Sequence, residues 1–355
     1  MKKRKQTLFF KNKPYILGAY SLGGEKEGSG PLREWFDDCL RDDTYDEPTW
    51  EKSESKMLKT AMMEAVRRSG KGQDEIGAML SGDLLNQLMS SSFMARDMHI
   101  PFLGMYGACS TMAESLILGA VLVDGRYSDN VITGASSHYC TAERQFRLPL
   151  EHGNQRPPSA QWTATAAGAM MLSAAPPEDS MESDSDGQII RHKKVRVESG
   201  TIGKVIDAGI KDANQMGSAM APAAVDTLLN HLEDTGRALD YYDVVLTGDL
   251  GFIGKDIMKD LLNDAGISAD VLEKTYDDCG SMIYEPQQDI HSGGSGCGCS
   301  ASVTAGYVFK KMRRGEIGRA LVMSTGALLS TISPFQGESI PGIAHAVSLE
   351  AEGDK

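Results

Sequence analysis

The stretch MYGACSTMAESLILGAVLVDG, from Met105 to Gly125, contains a cysteine directly before a strongly apolar helical pattern. Thr111 and Glu114 match the S/T-x-x-E capping box, and apolar residues follow at helical spacing until an Asp-Gly stop signal. The segment therefore predicts a buried helix with Cys109 just before its N-terminus.

Cys109 has two interpretations at this point. The free amide groups and the positive end of a helix dipole favour an anion, which is either the thiolate of the cysteine or the carboxylate of a ligand. Cys109 is therefore either a nucleophile or, together with Ser110, part of a ligand-binding site.

Composition excludes several classes of protein. The chain has 355 residues, 41% of them hydrophobic, which predicts a globular protein with a large core. A net charge of -13 argues against a nucleic-acid partner. The six cysteines are scattered, which favours free thiols, and Cys297 and Cys299 lack a second ligand pair, so no metal site is predicted.

The basic N-terminus has too short an apolar run for a signal peptide, and no run is long enough for a membrane span. We therefore expect a soluble or peripheral protein.

The chain repeats itself. RRSGKGQDEIGAMLSGDL (residues 67–84) aligns without a gap with EDTGRALDYYDVVLTGDL (residues 233–250), and each reads as a helix end, a turn and a buried strand. Residues 109–132 align in the same way with residues 299–322, each as a long helix, a turn and another strand. The offsets are 166 and 190, so we expect 24 additional residues in the second half, within residues 251–280.

These patterns predict a duplicated α/β fold, in which two similar halves have sheets layered between helices. The predicted boundaries are 1–173 for the N-terminal half, 174–188 for an acidic, Pro- and Ser-rich connector, and 189–355 for the C-terminal half.

A duplicated α/β chain with a cysteine before the first half's central helix resembles the thiolase superfamily. The GACSTMAESLILGA segment is most similar to ketoacyl-ACP synthases of the third type. The resemblance implies a five-layered αβαβα arrangement of mixed sheets, a homodimer and an acyl group loaded on Cys109.

Two longer segments, LSGDLLNQLMSSSFMARDMHIPFLGMYGACSTM and SSHYCTAERQFRLPLEHGNQRPPSAQWTATAAGA, resemble the stage V sporulation protein AD family. This resemblance implies binding of dipicolinic acid, pyridine-2,6-dicarboxylate, during its uptake into spores or its release in germination. It also implies action with other SpoVA proteins, with the chain made in the cytoplasm and peripheral at the spore inner membrane. No cofactor is expected, although calcium accompanying dipicolinate stays open.

Condensing enzymes of the thiolase superfamily need a histidine and a second histidine or asparagine beside the cysteine. The histidine position falls at or beside Gly248, and the asparagine position falls in HSGGSGCGCSAS (residues 291–302); neither residue type is present in its place. Losing such partners costs about 100-fold or more in rate, so we expect no condensation activity. The glycines of residues 291–302 are expected to let this backbone segment approach its neighbours closely.

Two other functions stay open. The chain is an active acyltransferase or condensing enzyme if His138 or His291 replaces the absent partners of Cys109. It is a scaffold of a membrane complex if the ancestral pocket is empty.

Dipicolinate is a flat dianion, so its site needs donors for two carboxylates and an apolar wall for the ring. His138, Arg144 and Arg147 are candidates for the positive charge, although the two arginines also suit ordinary ion pairs on a helix surface. The full predicted ligand-binding set is Cys109, Ser110, His138, Arg144, Arg147, Gln161, Thr163, Thr165 and His291.

Overall fold

The computed structural model describes residues 5–146, 156–183 and 189–353. The first half contains four helices in this part of the chain: α1 (Trp50–Ser69), α2 (Met89–Met98), α3 (Thr111–Asp124) and α4 (Tyr139–Phe146). Its strands are β1 (Thr7–Phe9), β2 (Tyr15–Gly23), β3 (Asp38–Cys39), β4 (Ala78–Gly82), β5 (Phe102–Gly104), β6 (Asn130–Ser137), β7 (Trp162–Thr163) and β8 (Ala166–Ser173).

A hairpin of β9 (Met181–Ser183) and β10 (Ile189–Arg191) follows, with its first strand inside the predicted connector. The predicted domain boundaries stay a prediction. The second half continues with strands β11 (Val195–Thr201), β12 (Val244–Thr247), β13 (Tyr276–Asp278), β14 (Gly294–Ser295), β15 (Arg319–Ala327) and β16 (Gly342–Ala351). Its helices are α5 (Met216–Thr235), α6 (Gly251–Asp264), α7 (Ala269–Thr275), α8 (Cys279–Met282), α9 (Cys297–Val303) and α10 (Phe309–Arg314), the last two joined by a π-helical turn.

The sheet confirms the predicted duplication. The first half-sheet has the order β5-β4-β6-β8-β2, and the second has the equivalent order β13-β12-β15-β16-β11. In each half four strands run in the same direction, and the fourth strand of the order, β8 or β16, runs antiparallel to its neighbours. The two half-sheets meet where β2 pairs with β11, Ile16 opposite Val195.

The layers have the predicted αβαβα order. Helices α1 and α2 cover the outer face of the first half-sheet, and α5 and α6 cover that of the second. Helices α3 and α9 lie between the half-sheets, and α3 packs on strands of both. Helix α3 is apolar over most of its surface, with Met112, Leu116 and Ile117 in the central core and the face of Leu118 and Leu122 half-buried.

The aligned helix ends also match. Helix α1 ends at Gly70 and α5 ends at Gly236, both in the left-handed conformation that glycine adopts without strain. The additional residues of the second half form α7 before β13 and also the α8 connection after it. The expected insertion therefore extends beyond residues 251–280.

The predicted capping box at Thr111 is wrong. Helix α3 begins at Thr111 itself, Ser110 is the N-cap residue, and no side chain there accepts a capping hydrogen bond. The Oε2 atom of Glu114 has no hydrogen-bond partner in the described part of the chain.

No helix within the described ranges combines the length and the apolar character needed to cross a bilayer. The same ranges contain no group of three or more histidine, cysteine, aspartate or glutamate side chains arranged to hold a metal ion.

Candidate functional site

Cys109 lies in a tight turn between β5 and α3. Ala108, the residue before it, has a φ of 50°, an uncommon conformation for a residue with a side chain. The amide of Ser110 donates to the Gly107 carbonyl (3.0 Å), and that of Thr111 donates to the Ala108 carbonyl (3.3 Å). The turn itself therefore uses the amides of Ser110 and Thr111, which lie at the helix N-terminus that was expected to bind an anion.

The carboxyl group of Asp249, which follows β12, lies beside the thiol of Cys109. Thr325 donates its hydroxyl to the same carboxyl group, and the amide of Gly296 approaches it at 3.3 Å. Gln161 donates to the Asp249 backbone carbonyl at 2.6 Å. A buried acid thus stands beside the cysteine, where a condensing enzyme would need a base.

Burial controls the protonation of this pair. It raises the pKa of Asp249 to about 7. Burial, followed by the neighbouring Asp249 charge, raises the pKa of the Cys109 thiol well above its ordinary value. Because the thiolate is the nucleophile of cysteine chemistry, the protonated thiol is poorly suited to attack a thioester.

A second pair of buried acids lies in the first half. Asp83 accepts hydrogen bonds from the amides of Leu85 and Ser91, at 2.8 and 2.7 Å. Glu54 accepts one from the Thr141 hydroxyl at 2.7 Å. Burial and then the charge of Asp83 raise the pKa of Glu54. The interior around Cys109 therefore carries carboxyl groups in both halves.

The space in front of Cys109, here called the inner cavity, has a volume of about 50 Å³. Its wall is mostly apolar, with Tyr106, Phe146 and Met216, and it includes Thr163 and Glu143. Ordinary ligand pockets span about 300–1,000 Å³. The inner cavity is too small for a pocket of that kind, and its described wall contains no arginine, lysine or histidine.

A larger space, here called the outer cleft, shares Phe146 with the inner cavity and has a volume of about 510 Å³. Arg144 and the strongly exposed Phe335 line it. Arg144 forms an ion pair with Glu51 and lies over the Trp50 ring, 5.5 Å from its centroid. The outer cleft therefore combines aromatic surface with a guanidinium group.

The structure brings together only part of the predicted ligand-binding set. Cys109 and Thr163 line the inner cavity, and Gln161 lies behind it through the Asp249 carbonyl. The Ser110 hydroxyl donates to the Gly107 carbonyl at 2.7 Å. The Thr165 hydroxyl accepts from the amide of Tyr139 at 3.1 Å. Backbone groups thus occupy the Ser110 and Thr165 hydroxyls.

The two histidines lie away from the inner cavity. His138 is buried, its Nε2 atom is 2.8 Å from the Asp43 carbonyl, and burial lowers its pKa. His291 is near the surface, with Nδ1 2.9 Å from the Pro157 carbonyl and Nε2 beside Asp289. Neither histidine supplies a base to Cys109 in this arrangement.

Arg147 lies outside the described residues. The ligand-binding roles of the whole set stay predictions. Asp249, Asp83 and Glu54 were not among the predicted residues, although the first two occupy the same position of the repeated S/T-G-D-L motif.

The expected close backbone approach in residues 291–302 is confirmed. A Cβ atom at Gly298 would lie 2.2 Å from the Ala166 carbonyl oxygen. Gly296 has a φ of 99°, and a Cβ atom there would lie 2.6 Å from the Ser137 hydroxyl. Both glycines let the second-half loop pack directly on the first half.

Comparison with known proteins identifies the family. The family model for stage V sporulation protein AD (SpoVAD) matches residues 4–350. The chain belongs to the SpoVAD family. The stage V sporulation protein AD of Bacillus subtilis (strain 168) is 41% identical over 349 residues, which cover 98% of each chain.

Solved structures place this SpoVAD family member in the thiolase-like fold. The 3-oxoacyl-[acyl-carrier-protein] synthase III of Aquifex aeolicus VF5 matches 95% of the chain and 99% of its own length, with a TM-score of 0.55 and 11% identity. A cerulenin-bound OleA from Xanthomonas campestris matches 99% of the chain and 100% of its own length, with a TM-score of 0.58 and 11% identity. At these identities the likeness establishes the fold alone.

We expect Asp249→Asn to alter the pH dependence of unfolding. The buried carboxyl keeps its proton up to about pH 7, whereas an unfolded aspartate loses it near a pKa of about 3.9. The native state therefore binds more protons than the unfolded state in this window, and this group lowers stability as the pH rises. From about pH 5 to about pH 8, the wild type should lose ~3 kcal/mol that the variant does not lose.

Urea unfolding of both proteins at the two pH values measures this difference. Asp264→Asn, at an exposed position, is the control and should follow the wild type. An Asp249→Asn difference of equal size at both pH values would show that the acid is ionised throughout.

Proposed function

We propose that this SpoVAD family member is a non-catalytic protein that binds dipicolinic acid during its uptake into or release from bacterial spores. Membership of a stage V sporulation family supports the biological setting. The surroundings of Cys109 support the absence of catalysis, because burial and the neighbouring Asp249 carboxyl group favour the protonated thiol. The free acid and its calcium chelate both fall within this proposal.

The ligand position that we propose is the outer cleft, and the observation that supports it best is that Arg144, Phe146 and Phe335 all line it. Arg144 can bind a carboxylate with two parallel hydrogen bonds, and Phe146 and Phe335 can pack on the pyridine ring. The inner cavity is a poorer position. A dianion there would lie close to the buried carboxyl groups of Asp249 and Glu143.

We also propose a homodimer built on the exposed edge of β5. The equivalent edge strand of the second half, β13, is covered by α7 and α8. Strand β5 ends the first half-sheet, and Leu103 on it is 47% exposed. Met89 and Phe93 of the adjacent α2 extend the apolar surface. A second copy pairing along β5 would satisfy the open backbone groups and bury these side chains.

The remaining parts of the proposal follow from the family alone: action with other SpoVA proteins and a peripheral position at the spore inner membrane. In this setting, dipicolinate would be transferred between the protein and a membrane complex.

Calorimetric titration with dipicolinate tests the ligand and its position together. We expect Cys109→Ala to bind like the wild type, because the ligand stays outside the inner cavity. Arg144→Gln should weaken binding by about tenfold or more, since one charge-assisted contact is lost. Arg96→Gln, which also removes an arginine from a surface ion pair, is the matched control.

Absence of saturable heat with the wild type, with and without calcium, would leave the scaffold alternative. Loss of binding in Cys109→Ala with normal binding by Arg144→Gln would move the ligand into the inner cavity.

Intact mass spectrometry tests the catalytic alternative. After incubation with an acyl-CoA, the wild type should keep its original mass, because burial raises the pKa of the Cys109 thiol and neither His138 nor His291 reaches it. A mass increase equal to one acyl group that disappears in Cys109→Ala would identify an acyltransferase or condensing enzyme.

Light scattering after size exclusion tests the dimer. We expect the wild type to be dimeric and Leu103→Lys to be largely monomeric, because the added charge would face its own copy across the two-fold axis. Tyr127→Lys, at a residue that is 80% exposed, is the control and should stay dimeric. Equal masses for all three proteins would argue against the β5 interface.

A further inference from the structure

A groove that shares no lining residue with the inner cavity or the outer cleft concentrates basic side chains. This basic groove has a volume of about 520 Å³ and lies between the C-terminal part of α1 and helix α10. Arg68 lines it from α1, and Lys310, Arg313 and Arg314 line it from α10. The volume is in the range of small-molecule pockets, and the positive lining stands out in a chain with a net charge of -13.

Carboxylates inside the groove neutralise only some of these cations. One oxygen of Asp37 receives both Arg68 and Lys310, at 2.7 and 2.8 Å. Glu182 receives Arg314 at 2.7 Å and lies 3.3 Å from His192. Glu34 is the third acid in the lining. The four arginine and lysine side chains therefore exceed the acidic ones.

Arg313 is the basic side chain whose partners are neutral. Its guanidinium donates to the Ser180 hydroxyl at 2.9 Å and to Nδ1 of His192 at 2.5 Å. Because Nδ1 accepts this hydrogen bond, His192 is the neutral imidazole. In the described part of the chain, no carboxylate lies within ion-pair distance of Arg313. The side chain is half-buried, so water compensates its charge less than it would on an open surface.

The groove continues past Arg313. A second space of about 590 Å³ shares Arg68, His192 and Arg313 with it, and Lys71 and Lys194 lie along its far side. The two arginines thus stand at the junction of two connected spaces, where a ligand with more than one anionic group can reach basic side chains in both directions.

We propose that the basic groove binds a phosphate-bearing anion between Arg68 and Arg313. A phosphate group presents three terminal oxygens, so it can accept from guanidinium groups on opposite walls at once, which a planar carboxylate does less well. It would supply Arg313 with the charged partner that it lacks and would offset the repulsion between the clustered cations. The phosphate belongs either to a small soluble molecule or to the headgroup of an anionic lipid.

Titration with pyrophosphate tests the soluble source. We expect saturable binding to the wild type that weakens by about tenfold or more in Arg313→Gln and in Arg68→Gln. Arg67→Gln is the matched control, because Arg67 is the neighbouring residue on α1, is paired with Glu64 and does not line the groove. Unchanged circular dichroism and unfolding midpoints should accompany each variant.

Co-sedimentation with phosphatidylglycerol–phosphatidylcholine vesicles, beside phosphatidylcholine alone, tests the lipid source. Vesicle binding that needs phosphatidylglycerol and falls in Arg313→Gln but not in Arg67→Gln supports the site with a headgroup as its ligand. Variant-sensitive pyrophosphate binding without such vesicle binding supports it with a soluble phosphate. The proposal is overturned if neither probe binds, or if Arg67→Gln weakens binding as much as Arg313→Gln.

Dipicolinate separates this inference from the proposed function. Arg313→Gln should keep the wild-type affinity for dipicolinate, and Arg144→Gln should keep that for pyrophosphate. If Arg313→Gln instead lost dipicolinate binding, the basic groove would be the dicarboxylate site and a separate phosphate site would be excluded.

Discussion

The close packing of the central helices between the two half-sheets is the constraint on which the rest of the molecule depends. The turn that carries Cys109 lies between glycines of both half-sheets. A Cβ atom at Gly82 of β4 would lie 1.9 Å from the Met105 carbonyl oxygen, and one at Gly326 of β15 would lie 2.4 Å from that of Gly107. No side chain fits at either contact, so the turn is held tightly from both sides and little space remains before the cysteine.

This packing also determines the electrostatics of the site. Burial in the protein interior favours the neutral form of a carboxyl group. It therefore raises the pKa values of Asp249 and Glu54. Burial and the neighbouring Asp249 carboxyl group both raise the pKa of the Cys109 thiol, so this environment favours the protonated thiol. Negative charge from a ligand is disfavoured there for the same reason. It is better accommodated where guanidinium groups reach solvent, at Arg144 and in the basic groove.

Much of the fold was predictable because it depends on patterns that are local or repeated. The apolar run of α3, the glycines that end α1 and α5, and the aligned strands β4 and β12 all follow from spacing in the sequence. The candidate site was less predictable, since its contacts join distant segments. The left-handed conformation of Ala108 closes a turn that uses the amides of Ser110 and Thr111, and no sequence pattern indicates this. The burial of His138 depends on how distant segments of the chain pack together.

The repeated S/T-G-D-L motif was the one available signal for the missed acids, and the duplication explains why its two copies act differently. In the first half, Asp83 accepts from the amide of Leu85 in the loop after β4 and from that of Ser91 in α2. In the second half, Asp278 of β13 takes over that task and accepts from the amides of Leu250 and Gly251, at 2.8 and 2.9 Å. Asp249 is thereby released from loop binding and faces Cys109. Asp278 occupies the position in β13 that Gly104 occupies in β5, so this single difference between equivalent strands supplies the acid that leaves Asp249 beside the thiol.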